Sequence, residues 1–279
     1  MERARVNGVG ISYEFLPAAG LSTGAVPAVL LNGIAMSVGN WKPFAGALAA
    51  SDEAAGRARR PLLLHDFRGQ LLSERPAGPY SLELHACDLA ALLDHLGLGE
   101  VDAVGTSYGS EVALAFARLY PERTRSLVVI DGASEVHPLL RAAVAGWRAA
   151  ALADPVAFYR SLVPWTYSES YIALNAEAIA AREKAVAGLP RDYFEAFAAL
   201  CDAFLAIDET RHLGEIGCPT LVAVGEKDIL KHEGYSRIIA DGIRGSRFVK
   251  MPGLGHGAVI ENPGAVSVLL EDFLDHLGS

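Results

Sequence analysis

The stretch Val101–Leu114, VDAVGTSYGSEVAL, runs from apolar residues through a glycine-bracketed serine into apolar residues at helical spacing. Ser107 lies between Gly105 and Gly109, which gives the pattern G-x-S-x-G. A predicted strand before the pattern and a predicted helix after it form the setting in which such a serine is a nucleophile. The glycines suit this setting because side chains there would collide with the neighbouring helix and strand. Since the pattern alone also fits a structural turn, the rest of the chain has to decide.

Short apolar runs, typical of buried strands, alternate along the chain with stretches of helical periodicity. Alternating residues over 4–15 predict a β-hairpin around Asn7-Gly8. Helical spacing predicts one helix over 81–96 and another after Asn262-Pro263. Continuous apolar strands separated by helices indicate an α/β fold, with a mostly parallel sheet flanked by helices. The predicted strands are 28–31, 61–64, 101–104, 126–131, 219–224 and 247–251.

The alternation of strands and helices stops in the middle of the chain. From residue 135 to residue 213 the patterns are only helical or irregular, and aromatic residues are frequent. We therefore predict a core domain over 1–134 and 214–279 that is interrupted by a helical insertion over 135–213. An insertion of this length in an α/β domain usually covers a functional site. Among its aromatic residues, we expect Trp165 and Tyr167 to face that site.

Composition limits the classes of partner. The 279 residues are 51% hydrophobic with a formal net charge of −9, which argues against a nucleic-acid surface because that needs clustered basic residues. The three cysteines are widely spaced, so a disulfide framework is not expected. No apolar run is long enough to span a bilayer, and the N-terminus has no apolar signal core. We expect a cytoplasmic protein that binds a small molecule and no membrane, with its oligomeric state left open.

A serine hydroxyl is a nucleophile at neutral pH only when a base accepts its proton and a third group orients that base. Two polar residues beyond the insertion fit these roles: Asp228 in VAVGEKDIL and His256 in MPGLGHGAV, each just past a predicted strand. The carboxyl ends of parallel strands gather functional groups at one edge of a sheet. The order Ser107, Asp228, His256 is that of nucleophile, acid and base on such a sheet. We predict that these residues form a catalytic triad.

Other residues compete for these roles. Asp131 ends a predicted strand and Glu226 lies nearer the strand end than Asp228, so either could replace Asp228 as the acid. His65 also follows a strand, but it precedes the serine in the chain, against the expected order. The segment GLGHGA matches a dinucleotide-binding pattern, yet too few residues follow it for the strand and acid that such a site requires. No ligand spacing predicts a metal site, and no cofactor is expected.

Five segments give the sequence a resemblance to the α/β-hydrolase fold family over nearly the whole chain. The resemblance implies that Ser107 lies at a nucleophile elbow and that the insertion is a cap domain, which shapes the substrate pocket. It also implies an oxyanion hole made by the backbone amides of Ile34 and Tyr108, and structural roles for Asp66 and Arg68. The segments are LLNGIAMSVGNW (30–41), HDFRGQLLSERP (65–76), GTSYGS (105–110), GEKD (225–228) and GLGHGAVIENP (253–263).

Two positions depart from the family pattern. Asn32 stands where the family often has histidine, so the hydrogen bonds inside this loop must differ, although a backbone amide donor can survive. Ser110 stands where a glycine is often found three residues after the nucleophile, and its small side chain should be tolerated. Neither departure removes a catalytic group.

The resemblance implies a cofactor-free, esterase-like serine hydrolase that cleaves a carboxylic ester, thioester or lactone through an acyl-enzyme. Members of the family with this layout also hydrolyse carbon–carbon bonds of ring-cleavage products or act as perhydrolases. The sequence does not separate these reactions, because specificity depends on the cap. A non-catalytic ligand-binding module is the least favoured alternative, since such a module need not keep a base and an acid. The acyl and leaving groups are left open.

Overall fold

Eight strands form one sheet in the part of the chain that the computed structural model describes, residues 1–18 and 25–278. They are β1 (Glu2–Val6), β2 (Val9–Leu16), β3 (Ala28–Leu31), β4 (Leu62–His65), β5 (Val101–Thr106), β6 (Thr124–Ile130), β7 (Thr220–Gly225) and β8 (Arg247–Met251). Their order in the sheet is β1-β2-β4-β3-β5-β6-β7-β8. The pairings β1–β2 and β2–β4 are antiparallel, and every pairing from β4 to β8 is parallel. The predicted α/β fold with a mostly parallel sheet is confirmed.

The first two strands form the predicted hairpin. Asn7 and Gly8 connect them with φ angles of 46° and 74°. These are the left-handed conformations that a tight two-residue hairpin turn requires, and asparagine and glycine adopt them more readily than other residues. The Asn-Gly pair therefore determines where β1 ends and β2 begins.

Helices cover both faces of the sheet, because side chains alternate in direction along each strand. Val29 and Leu31 of β3 belong to the core on one face, whereas Ala28 and Leu30 belong to the core on the other face. None of the described helices is both long and apolar enough to cross a membrane. The helices are α1 (Val38–Ala54), α2 (Leu82–His95), α3 (Tyr108–Leu119), α4 (Pro138–Ala153), α5 (Pro155–Thr166), α6 (Glu169–Leu174), α7 (Ala176–Ala187), α8 (Arg191–Leu205), α9 (Glu233–Gly242), α10 (Ala258–Glu261) and α11 (Pro263–Asp275).

Sequence periodicity misses α1 and α9. α1 contains Pro43, which removes one intrahelical hydrogen bond, but its buried side chains Trp41 and Phe44 pack into the core beside α11. α9 buries only two large side chains, Tyr235 and Ile239, so its apolar stripe is short. In both helices, contact with the sheet outweighs a weak local pattern.

The five helices α4–α8 all lie between β6 and β7, in agreement with the helical pattern predicted there. The two ends of this segment meet. Glu135 pairs with Asp208 in an isolated antiparallel bridge, and the Glu209 amide donates a hydrogen bond of 2.8 Å to the Ser134 carbonyl. The chain therefore leaves the sheet and returns to it at one place. The division into a core domain and a cap over 135–213 stays a prediction.

Candidate active site

Ser107 stands on a sharp turn between β5 and α3. Its φ and ψ angles are 53° and −119°, a conformation that non-glycine residues rarely adopt. The Ser107 amide donates a hydrogen bond of 2.9 Å to the Ile130 carbonyl of β6, which helps to hold the strained backbone. A Cβ atom on Gly105 would lie 2.2 Å from the Gly109 carbonyl oxygen, so the turn closes only because residue 105 has no side chain.

Ser110 has a structural role next to this turn. Its hydroxyl oxygen accepts a hydrogen bond of 3.0 Å from the Ile130 amide and lies 2.8 Å from the Gly105 carbonyl oxygen. The side chain therefore links the beginning of α3 to both β5 and β6. A serine replaces the glycine often found in the family without leaving an unpaired buried hydroxyl, since both its donor and acceptor functions are satisfied.

The structure brings together the three residues predicted as a triad. His256 Nε2 lies 2.8 Å from Ser107 Oγ, and His256 Nδ1 lies 2.8 Å from Asp228 Oδ2. Both Asp228 and His256 are buried. With its proton on Nδ1, the imidazole donates to the carboxylate and accepts from the serine hydroxyl, which is the arrangement that serine activation requires.

Asp228 is fixed by its own loop. Its second oxygen, Oδ1, accepts hydrogen bonds of 2.8 Å from the backbone amides of Leu230 and Lys231. Because these two donors engage one oxygen, the other oxygen points to the imidazole. The loop after β7 therefore orients the carboxylate as well as supplying it.

The competing acids lie elsewhere. Asp131 Oδ1 accepts a hydrogen bond of 2.7 Å from the Gly225 amide, and its Oδ2 has no hydrogen-bond partner among the described residues. Burial first, and the charge of Asp228 second, raise the pKa of Asp131 well above its usual range. Glu226 is exposed to solvent and accepts a hydrogen bond from the Gly253 amide. Neither acid is bonded to His256, and the competing base His65 lies buried with both ring nitrogens unpaired among the described residues.

The two residues predicted to supply oxyanion donors are Tyr108 and Ile34. Tyr108 is the first residue of α3, where helix geometry leaves the N–H without an intrahelical partner. Ile34 belongs to the loop after β3 and lines the cavity above Ser107. Their function as oxyanion donors stays a proposal.

Asn32 gives this loop a hydrogen-bond network of its own. Its Oδ1 accepts from the Trp41 indole at 2.9 Å, and its Nδ2 donates to Gln70 Oε1 at 2.9 Å and to Asp66 Oδ1 at 3.1 Å. Gln70 in turn donates to the Gly33 carbonyl at 2.9 Å. The loop next to the serine is therefore fixed by a fully buried amide network.

Asp66 and Arg68 occupy structural positions, as expected. Asp66 accepts hydrogen bonds from the amides of Val38 at 2.7 Å and Leu72 at 2.9 Å, and burial raises its pKa to about 6 against the opposing effect of these bonds. Arg68 holds Asp88 of α2 through two hydrogen bonds of 2.5 and 2.6 Å. A bidentate pair of this kind fixes the loop after β4 against the helix.

A cavity of about 450 Å³ opens above Ser107 and His256. Its walls come from the loop after β3 and from helices α4, α5, α7 and α8, and they are largely apolar. Tyr167 lines the cavity, whereas Trp165 does not: it packs against the hydrophobic core, so its predicted contact with substrate gains no support. Tyr159 also lines the cavity, and its buried hydroxyl has no partner among the described residues.

An ion pair behind the serine escaped the sequence analysis. Lys231 Nζ lies 2.9 Å from each carboxylate oxygen of Glu111, and both side chains are buried. Burial raises the pKa of Glu111, while the charge of Lys231 opposes this rise. The one available signal was a glutamate within the otherwise apolar stretch SEVALAFA of α3.

Comparisons with known proteins agree with the fold. A family model described as the alpha/beta hydrolase fold matches residues 27–151. A protein of Azorhizobium caulinodans, provisionally named carbamate hydrolase RutD, is 28% identical over 249 residues, which are 88% of this chain and 90% of that protein. Among solved structures, the alpha/beta hydrolase enzyme MGS-M2 from a Medee basin deep-sea metagenome library has a TM-score of 0.89 and 25% identity, over 98% of this chain and 97% of its own. A thermophilic esterase from Thermogutta terrifontis has a TM-score of 0.83 and 26% identity over the whole of both chains.

Proposed function

The chain belongs to the α/β-hydrolase fold family, and from this premise we propose that it is a cofactor-free serine hydrolase. Hydrolysis is the reaction class supported by the family and by the names of its relatives. As substrate we propose a carboxylic ester, thioester or lactone, because the carbonyl carbon of each accepts an attacking serine oxygen.

One observation supports the proposal above the others: the unbroken row of contacts from Asp228 through His256 to Ser107, with 2.8 Å at each step. As Ser107 Oγ attacks the carbonyl carbon, His256 Nε2 accepts the hydroxyl proton and Asp228 stabilises the resulting imidazolium. The amides of Ile34 and Tyr108 donate hydrogen bonds to the oxyanion that forms. His256 then gives its proton to the leaving oxygen or sulfur, and the acyl group stays on Ser107.

Water completes the reaction. His256 accepts a proton from a water molecule while the oxygen of that water attacks the acyl carbonyl carbon. When the second tetrahedral intermediate collapses, the bond to Ser107 Oγ breaks and His256 returns the proton to that oxygen. The enzyme is thereby restored, with an acid and an alcohol or thiol as products, or with a hydroxy acid alone where the substrate is a lactone.

The cavity supports an apolar acyl group. Its volume of about 450 Å³ and its largely apolar walls suit a small acid with an aliphatic or aromatic body. Tyr167 is proposed as one contact of this body, since its ring lines the cavity and its hydroxyl accepts a hydrogen bond of 2.9 Å from Arg182.

Labelling with a fluorophosphonate tests the proposal. We expect the wild type to be labelled on Ser107 and to turn over p-nitrophenyl esters, and we expect Ser107→Ala to lose both properties. Ser37→Ala is the matched control, because Ser37 lines the same cavity but makes no hydrogen bond to His256. Labelling that persists in Ser107→Ala, or turnover that the substitution leaves intact, would overturn the proposal.

Carbamate hydrolysis is a second candidate, favoured by the name of the Azorhizobium caulinodans relative. A carbamate offers the serine a carbonyl as an ester does, but its attached nitrogen makes that carbonyl less reactive. Turnover of p-nitrophenyl N-methylcarbamate and p-nitrophenyl acetate separates the two candidates. A higher kcat/KM for the carbamate, in spite of its lower intrinsic reactivity, would displace the ester proposal.

A further inference from the structure

A buried ammonium group stands beside the serine as well as beside the glutamate. Lys231 Nζ lies 3.5 Å from Ser107 Oγ, on the loop that also supplies Asp228. The same nitrogen lies 4.7 Å from the centre of the Phe204 ring. The side chain of Lys231 is 2% exposed, so water does not screen this charge.

The three N–H donors of Lys231 match the number of oxygen acceptors around its ammonium group. An ammonium group has three N–H donors, and the two oxygens of Glu111 accept two of them at 2.9 Å. Among the described residues, Ser107 Oγ is the one further oxygen within hydrogen-bonding distance of Nζ. The third N–H is therefore free to donate to the serine oxygen.

We propose that Lys231 is a further catalytic residue, whose ammonium group stabilises negative charge on Ser107 Oγ. The proposal rests on the serine-hydrolase function argued above. Charge develops on this oxygen twice: when His256 accepts its proton during attack, and when the oxygen leaves the second tetrahedral intermediate. A fixed cation at this position lowers the energy of both transition states, because it interacts more strongly with an alkoxide-like oxygen than with a hydroxyl. Lys231 keeps its three protons throughout, and His256 remains the base.

Glu111 is a positioning residue for this ammonium. Its two carboxylate oxygens lie 2.9 Å from Lys231 Nζ and hold the ammonium group beside Ser107. Glu111 Oε1 also accepts a hydrogen bond of 2.7 Å from the Ala133 amide, which anchors the carboxylate to the segment after β6. The pair as a whole is neutral, so it adds little net charge to the site.

The competing explanation is that Lys231 and Glu111 form a purely structural ion pair. The catalytic and the structural explanations predict different labelling rates when both charges are removed. Replacing a buried ion pair with well-packed hydrophobic residues of similar volume often leaves stability unchanged or improves it, whereas removing one partner leaves an unpaired buried charge. The double variant Glu111→Gln with Lys231→Met removes both charges together and keeps an acceptor for the Ala133 amide. The second double variant, Glu111→Gln with Lys231→Gln, keeps a polar pair without charge in case the first does not fold.

The test measures the rate constant of fluorophosphonate labelling and the melting temperature of each double variant. We expect the melting temperature to stay close to that of the wild type while labelling slows by about 100-fold, as when a donor to a developing negative charge is removed. A pre-steady-state burst experiment with a p-nitrophenyl ester measures acylation by the burst rate and deacylation by the steady-state rate. We expect both rates to fall in the double variants. A structural role predicts instead that a folded double variant labels within about threefold of the wild-type rate, and that result would overturn the proposal.

The outcomes also separate this proposal from the function on which it rests. If the wild type labels on Ser107 and a folded double variant labels equally fast, only the role of Lys231 fails. If the wild type does not label, or Ser107→Ala labels as well as the wild type, the serine-hydrolase function itself fails. If neither double variant folds, Lys231 is essential to the fold and the catalytic assignment is withdrawn.

Discussion

Gly109 of α3 lies so close to β3 that a Cβ atom on it would stand 2.0 Å from the carbonyl oxygen of Leu31. Both partners belong to backbone held in regular structure, so neither can move aside at low cost. We expect Gly109→Ala to destabilise the protein by about 3 kcal/mol or more, or to prevent folding. Urea unfolding measures this. Gly146→Ala is the matched control: Gly146 lies within α4 with no atom within 4 Å of the added carbon, so this change should stabilise by about 0.5–1 kcal/mol.

The choice of catalytic acid can be tested with two substitutions of equal size. Asp228→Asn should lower kcat by about 10³–10⁴-fold, because the amide no longer holds His256 in the tautomer that accepts the serine proton. Asp131→Asn should leave kcat within about threefold of the wild type, since the asparagine oxygen can still accept from the Gly225 amide. Steady-state kinetics with one p-nitrophenyl ester are enough. The reverse pattern would show that Asp131 is the acid.

Two buried histidines should weaken the protein in acid. Burial lowers the pKa of His65 to about 4 and that of His85 to about 3, both from 6.5. Below about pH 6.5 the unfolded chain therefore binds more protons than the folded protein does. The free energy of unfolding falls as the pH decreases towards the pKa values of the folded protein. Each histidine lowers the free energy of unfolding by about 2 kcal/mol as the pH falls from about 6.5 to about 5. Asp66 works in the opposite direction, because its pKa is raised to about 6 in the folded protein.

The measurement for this prediction is the free energy of unfolding at about pH 7 and about pH 5. His85→Leu should lose less stability between the two conditions than the wild type, by about 2 kcal/mol. His95→Gln is the control, because His95 is exposed on the same helix α2. Equal losses in the wild type and His85→Leu would contradict the prediction.

Tyr159 offers a test of the cavity that is independent of the triad. Since its buried hydroxyl has no partner among the described residues, Tyr159→Phe should cost no stability. Tyr80→Phe is the control, because Tyr80 is equally buried but donates a hydrogen bond of 2.5 Å to the Pro76 carbonyl, and its loss should cost about 1 kcal/mol. We expect Tyr159→Phe to lower KM for esters with an apolar acyl group, since it removes one unpaired buried hydroxyl from the cavity wall. A stability loss equal to that of Tyr80→Phe would contradict this.

The fold could be predicted because short segments of the sequence are enough to identify the strands of the sheet. Each central strand is a short run of apolar residues, and Asn7-Gly8 specifies the hairpin. Packing decided the helices that periodicity misses: α1 forms around buried Trp41 in spite of Pro43. The meeting of Ser107 with His256 follows from parallel topology, which places the carboxyl ends of the strands at one edge. The order of the strands was not predicted, because parallel pairing alone does not determine it.

The surroundings of the triad could not be predicted in the same way. Lys231 and Glu111 are 120 residues apart, and although a glutamate within the apolar stretch of α3 indicates a buried partner, nothing in either segment identifies Lys231 as that partner. Residues of helices α4–α8 are equally difficult to predict, because an aromatic side chain packs into a core or lines a cavity according to the helix that faces it. Trp165 was expected at the cavity and packs into the core, while Tyr159 was not singled out and lines the cavity.

The bridge between Glu135 and Asp208 has a consequence for how this protein could change over time. Because the segment between β6 and β7 leaves the sheet and returns to it at one place, these two strands pair directly although five helices separate them in the chain. The segment nevertheless contacts the surroundings of the site, since the Phe204 ring of α8 lies 4.7 Å from Lys231 Nζ and the Gly257 amide donates a hydrogen bond to the Thr166 carbonyl of α5. A chimera that exchanges this segment therefore has to preserve these contacts as well as the two points at which the chain is joined.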